Sequence, residues 1–203
     1  MIQAVLNKLF HKVDIKVNGE PDAPIYLRRW FIWPRKPENN KMVPRIYLHR
    51  FSTGDNVRDL HDHPWPFKSI ILAGGYWEHS FNPAYLKFKA RYGAAPSEDC
   101  IPKTVKKWYG PGSFLKRGAS WTHAVELKKK LVPEYYRFGA HIEVEKDVAC
   151  WSLIHTGIKC RSWGFHTDNG WCWWRNYHRG ACVCYDNPNE DLTNGRPSST
   201  YDI

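Results

Sequence analysis

Residues 54–79, GDNVRDLHDHPWPFKSIILAGGYWEH, decide the fold. They set His61 and His63 two residues apart, ahead of an apolar run that ends at Gly74-Gly75. Side chains alternate faces along an extended chain, so the two imidazoles project to one side about 7 Å apart. The same parity puts Trp65, Phe67, Ser69, Ile71 and Ala73 beside them, with Asp62, Lys68, Ile70 and Leu72 on the other face. Two imidazoles on one wall of an apolar pocket suit a first-row divalent metal once a third ligand joins them.

That ligand is available in residues 110–127, GPGSFLKRGASWTHAVEL, which read as turn, short strand, turn and a strand carrying His123. Together the two stretches resemble the cupin family of small double-stranded β-helix barrels. The first cupin motif, G-x5-H-x-H-x3/4-E-x6-G, is matched at His61, His63 and Gly74. It departs at Gly54, one place early, and at the Glu position, which is Phe67. The second, G-x5-P-x-G-x2-H-x3-N, keeps its spacing at Gly112, Gly118, Ser120, His123 and Leu127, with Gly, Ser and Leu replacing Pro, Gly and Asn. The resemblance spans residues 43–165.

The resemblance implies a mainly β chain, a single double-stranded β-helix with a short N-terminal helix. It also implies one divalent metal on His61, His63 and His123. With Phe67 in place of the Glu, the site resembles the three-His centres of thiol dioxygenases and some diketone-cleaving relatives. Glu78 is the candidate fourth ligand. Three histidines leave open positions on an octahedral ion, which favours Fe(II) and an oxygenase reaction, with Zn, Mn or Ni as other ions. Trp65 and Phe67 would wall the pocket, and Arg58 or Arg161 would meet a substrate carboxylate or phosphate. Two other function classes stand beside the oxygenase: a non-catalytic cupin binding a nucleotide, sugar or other small anion, and a metal-dependent sugar isomerase or epimerase with Glu78 or His49 as base. No G-x-S-x-G elbow and no Gly-rich phosphate loop occurs.

Composition bounds the partners. The net charge of +10 is uneven: residues 61–140 carry 13 Lys/Arg against 6 Asp/Glu, and residues 141–203 carry 6 against 8. The excess, concentrated in KTVKK (103–107) and LKKKL (127–131), favours a small anionic ligand, with nucleic acid a weaker option because no RRM or zinc-finger pattern occurs. Homodimerisation is allowed. The mean hydropathy is −0.60, and no apolar run approaches the ~18 residues of a membrane span, so no membrane partner and a cytoplasmic location are expected. Six cysteines in such a chain read as thiols. Cys172, Cys182, Cys184 and His166 or His178 match no standard zinc spacing.

Along the chain, Ile2, Val5, Leu6, Leu9 and Phe10 form the apolar stripe of a short helix expected to cap one barrel end. Residues 25–33 and 45–51 read as strands, the latter placing Tyr47, His49 and Phe51 on one face. Residues 82–102 read as a hairpin extension plus loop, KKKLVPE as a polar excursion, and YYRFGAHIEVE as a return to the barrel. The aromatic stretch 160–178 is expected to close one end; its W-G-F…W…Y pattern resembles the ending of small bacterial and phage cupins with HDHPW-type cores. The predicted organisation is one domain over 1–185 and a polar, loosely ordered tail over 186–203.

Overall fold

The computed structural model describes residues 2–17, 22–35, 43–55, 57–135, 141–178, 182 and 184–185. The tail from 186 lies outside them. In chain order the elements are α1 (Ile2–Leu9), β1 (Lys12–Lys16), β2 (Ile25–Trp33), β3 (Arg45–Phe51), β4 (Leu60–His61), β5 (Phe67–Ala73) and β6 (Tyr76–Phe81). Then come α2 (Pro83–Tyr92), β7 (Thr104–Tyr109), β8 (Phe114–Arg117), β9 (His123–Leu127), β10 (Lys129–Tyr135) and β11 (His141–Asp147). The chain continues with β12 (Cys150–Thr156), β13 (Gly164–Thr167), β14 (Gly170–Trp173), α3 (Trp174–His178) and β15 (Cys184–Tyr185).

Two antiparallel sheets face each other, ordered β1-β2-β3-β12-β5-β8 and β15-β14-β13-β4-β9-β6-β7. Within them, β3-β12-β5-β8 and β4-β9-β6-β7 have the strand order of an eight-stranded jelly roll, the double-stranded β-helix of the cupins. β1 and β2 lengthen the first sheet, and β13 to β15 lengthen the second. The core between them joins Leu27, Phe51, Ile71, Leu115 and Cys150 of the first sheet to Tyr76, Val125 and Leu127 of the second.

The stretch 61–73 is not one strand. The chain leaves the second sheet after His61 and enters the first at Phe67, because Pro64 and Pro66 lack the N–H that a continuous ladder needs. The parity reading still holds inside β5, where Phe67, Ser69 and Ile71 are buried and Lys68, Ile70 and Leu72 are exposed; Ala73 is exposed. At the following turn Gly74 has φ +75°, and a Cβ there would come within 2.4 Å of the Ala149 carbonyl oxygen.

Other expectations are corrected. Residues 83–92 are helical: Asn82 caps α2 through its side chain, Pro83 starts it and left-handed Gly93 ends it. β10 and β11 pair with each other as a two-stranded sheet of their own, so of the strands after β9 in the first two sheets β12 is the one that returns to the barrel. α1 does not bury its apolar stripe. Ile2, Val5 and Leu9 are exposed, and the helix attaches through Trp30 Nε1 to Asn7 Oδ1 (2.9 Å) and Arg28 Nη1 to Gln3 Oε1 (2.7 Å). Cys172 and Cys182 are joined by a disulfide, which corrects the reading of all six as thiols. The β14–β15 pairing brings that part of the chain back beside Cys172, and the bond removes one support of the cytoplasmic expectation. Among the described residues no helix is long and apolar enough to cross a membrane.

Candidate metal centre

His61 and His123 are register partners on β4 and β9, and His63 follows two residues after His61 as the chain crosses between sheets. One ligand nitrogen from each of the three lies within 4.8 Å of the others. Their rings stand 4.9–5.2 Å apart, and Nε2 of His63 is 2.9 Å from Nε2 of His123. Burial pushes His61 down to about 4, against the opposing pull of Asp55 and with help from His123. Burial first, and then His123, His61, Arg161 and Arg29, hold His63 well below the usual imidazole range. Both rings are therefore neutral at neutral pH and keep a lone pair for a metal.

Geometry supports the same fit. Two nitrogens bound ~2.1 Å from one ion lie ~3.0 Å apart at right angles and ~3.4 Å apart at the tetrahedral angle. The 2.9 Å between His63 and His123 is a hydrogen-bond distance and is close to the first of these separations. Each of two ligands also has a carboxylate behind it. His61 Nδ1 is 3.9 Å from Asp55, whose other contacts are the Tyr26 hydroxyl and the Val125 N–H. His123 Nδ1 donates to Glu78 Oε1 at 2.8 Å.

Glu78 is thus the hydrogen-bond partner of His123 and stands outside the cluster of three histidines. It is buried on β6 and takes a bidentate ion pair from Arg117 of the opposite sheet, 3.3 Å and 2.6 Å, plus a 3.3 Å bond from Trp121 Nε1. Burial alone would raise its pKa, but the bonds and charges of His123 and Arg117 outweigh burial and hold the carboxyl at about 2. Arg117 also donates to the Tyr109 hydroxyl at 2.9 Å and lies 4.4 Å over the Trp121 ring.

The apolar wall is Phe67, whose ring is 4.8 Å from His63 and 6.1 Å from His123. Trp65 is half-buried in the crossing segment. The two arginines read as substrate anchors are engaged elsewhere. Arg58 is exposed and pairs with Asp59 at 2.8 Å. Arg161 is half-buried and pairs with Asp62 at 3.0 Å.

Asp62, between the two histidines and fully buried, is a residue that sequence reasoning gave no role. It accepts from Gly164 N (2.9 Å), His166 Nε2 (3.2 Å) and Trp171 Nε1 (3.1 Å) besides Arg161. It thereby ties the His-x-His segment to β13 and β14. Gly164 is essential to this join, since a Cβ would come within 2.1 Å of the Cys172 carbonyl oxygen. Beyond Asp62 the aromatic segment packs outward from the site: Trp163 stacks on Trp174, and Phe165 on Tyr177. His61 touches that cluster through Trp163 and Phe165, with ring centroids 6.2 and 5.9 Å away.

No family model and no curated protein matches the sequence. Among solved structures, the Fe(II) form of HppE is 9% identical over 72% of this chain and 55% of its own, with a TM-score of 0.40. A cupin-2 domain protein from Rhodospirillum rubrum is 13% identical over 72% and 68%, TM-score 0.38. KdgF from a Halomonas species is 12% identical over 74% and 88%, TM-score 0.36. The chain spans little more than half of the HppE chain. Likeness at this level bears on neither metal nor substrate.

Proposed function

We propose that this protein binds one divalent first-row metal through His61, His63 and His123 and works as a mononuclear oxygenase on a small anionic substrate, with Fe(II) the favoured ion. The observation that carries the reading is three clustered imidazoles with a phenyl ring, Phe67, where a fourth ligand would stand. Fe(II) held there would supply O2 chemistry and Lewis acidity toward a chelating substrate.

The chain's own groups do the rest. Glu78 fixes the His123 proton on Nδ1, which leaves Nε2 to face the centre, and Arg117 keeps Glu78 charged and in place. Phe67 contributes no donor and keeps water off one side, so the remaining coordination positions are open to small molecules. The sugar-isomerase reading needs a lumen base. Glu78, tied to Arg117 and His123 with its pKa near 2, is unsuited to that work. The binding-only reading shares the lumen and differs in needing neither metal nor O2.

Elemental analysis after reconstitution with Fe(II), Mn, Ni or Zn, followed by O2-electrode assays against a panel of small carboxylates and thiols, tests the proposal. One equivalent of metal that is lost in His63→Ala, together with substrate-dependent O2 uptake by the iron form, is the expected result. A wild type that retains none of the four metals would overturn the reading. A metal-loaded protein with no O2 uptake across the panel would leave binding as the better function.

A further inference from the structure

The first sheet turns a row of polar side chains into the same lumen. Arg29 on β2, His49 on β3 and Ser152 on β12 are consecutive register partners. Each stands two residues from a core side chain of its own strand, Leu27, Phe51 and Cys150 respectively, so all three share the inward face. His49 is 5% exposed and Ser152 1%. Arg29 keeps part of its surface accessible, and the register turns that surface to the lumen.

The hydrogen bonding of this row is incomplete on one side only. Arg29 Nε donates to His49 Nε2 at 3.0 Å. An arginine has no acceptor to offer, so His49 Nε2 must hold a lone pair and the ring's single proton must sit on Nδ1. That Nδ1–H is buried with no partner, and so is the Ser152 hydroxyl. Among the described residues no carboxylate pairs with Arg29, whose guanidinium lies 4.6 Å over the Tyr47 ring. Arg45, which reaches the Tyr47 hydroxyl at 3.4 Å, adds a second cation nearby. Burial lowers the Arg29 pKa, yet a guanidinium stays charged. Two buried, unsatisfied donors beside a half-buried cation are costly unless something with acceptors fills the space between them.

We infer that Arg29, His49 and Ser152 form an oxyanion-binding subsite, which takes the carboxylate or phosphate group of a small ligand and presents the rest of it to the cluster of three histidines. Every group in the row donates, and none carries a negative charge, which is the complement of an oxyanion. A guanidinium fork carries parallel N–H groups that suit two oxygens, and Arg29 Cζ lies 4.6 Å from the Tyr47 ring centroid. The subsite rests on the lumen being a ligand site, as in the proposed function, but it needs no metal. It replaces Arg58 and Arg161 as the cation expected to meet the ligand.

The test is isothermal titration of acetate, malonate and inorganic phosphate into metal-free and zinc-loaded protein, as wild type, Arg29→Met, Arg29→Lys and Ser152→Ala. The expected result is that at least one probe binds metal-free wild type, and that its affinity falls by about tenfold or more in Arg29→Met. Arg29→Lys recovers only part of the loss, because the fork is missing, and Ser152→Ala weakens binding several-fold. The Nδ1–H resonance of 15N-labelled His49 should shift with the bound probe, a readout that holds even if a variant folds poorly. A merely structural Arg29 would lower the melting temperature of the probe-free protein on conversion to Met. An anchor in an unpaired site would not, and would instead abolish the rise in melting temperature caused by the probe. Failure of every probe to bind wild type, or equal binding by Arg29→Met, overturns the subsite whatever the metal content. Anion binding through Arg29 in a protein that retains no metal would sustain the subsite and remove the oxygenase reading alone.

Discussion

Glu78 Oε1 lies 2.8 Å from Nδ1 of His123, and the carboxylate is held from behind by Arg117 of the other sheet. The ion pair therefore spans the sandwich and aims a metal-ligand candidate at the same time. Removing the charge at Glu78 should loosen that ligand without deleting it. Glu78→Gln is expected to weaken metal affinity about 10–100-fold, measured by competition with a chromophoric chelator. Equal affinity in the two proteins would mean that the orientation of His123 comes from packing alone.

The same carboxylate gives an acid dependence. Its folded pKa is about 2 against an ordinary 4.5, so the folded state binds the proton more weakly than the unfolded chain does. The stabilisation is complete above the ordinary value and disappears as pH falls from 4.5 toward 2, on the order of 3 kcal/mol in all. Urea denaturation of metal-free wild type and Glu78→Gln should show the stability gap narrowing between pH 6 and pH 3. A gap that widens on acidification would reverse the sign and refute the assignment.

Single replacement of His61, His63 or His123 by Ala should abolish stoichiometric metal while leaving the far-UV circular dichroism of a β protein. The core of Leu27, Phe51, Ile71, Tyr76 and Leu115 does not pass through the imidazoles. Phe67→Glu puts a carboxylate in place of the ring whose centroid is 4.8 Å from that of His63, and it should raise metal retention under chelator challenge. Unchanged metal content in all three alanine variants would put the metal elsewhere.

Asp62→Ala deletes a buried carboxylate, leaves half-buried Arg161 without that ion pair and removes the acceptor of three further donors. The expected loss is about 3–5 kcal/mol of unfolding free energy, larger than for an exposed pair. Denaturant titration of the metal-free protein measures it. A loss under about 1 kcal/mol would show that water replaces the carboxylate at little cost.

The three histidines could be read from sequence because their spacing is local on one side and fixed by a glycine turn on the other. The partners of those histidines could not. Glu78 is 45 residues from His123, and Arg29 is 20 from His49, separations at which only strand pairing decides contact. Glu78 was visible as an acidic residue after the Gly-Gly turn, but its bond to Arg117 depends on the two sheets facing each other. α2 was misread although Asn82-Pro83 and Gly93 mark its ends, because alternating Tyr, Lys and Phe in YLKFKARY imitate a strand. The Cys172–Cys182 bond was hidden for a different reason: the reading weighed redox setting and zinc spacing, and the β14–β15 pairing lies in neither.

The crossing of the chain between His61 and Phe67 divides labour between the two walls of the barrel. Two of the three imidazoles are neighbours on β4 and β9, while Arg29, His49 and Ser152 belong to the facing wall. A substitution in the second group need not disturb the first, so under the proposed function the identity of the captured molecule can drift over evolutionary time while the three histidines are inherited unchanged. A combinatorial library confined to Arg29, Tyr47, His49 and Ser152 would explore new specificities on a fixed centre, and the converse library at the histidines would not.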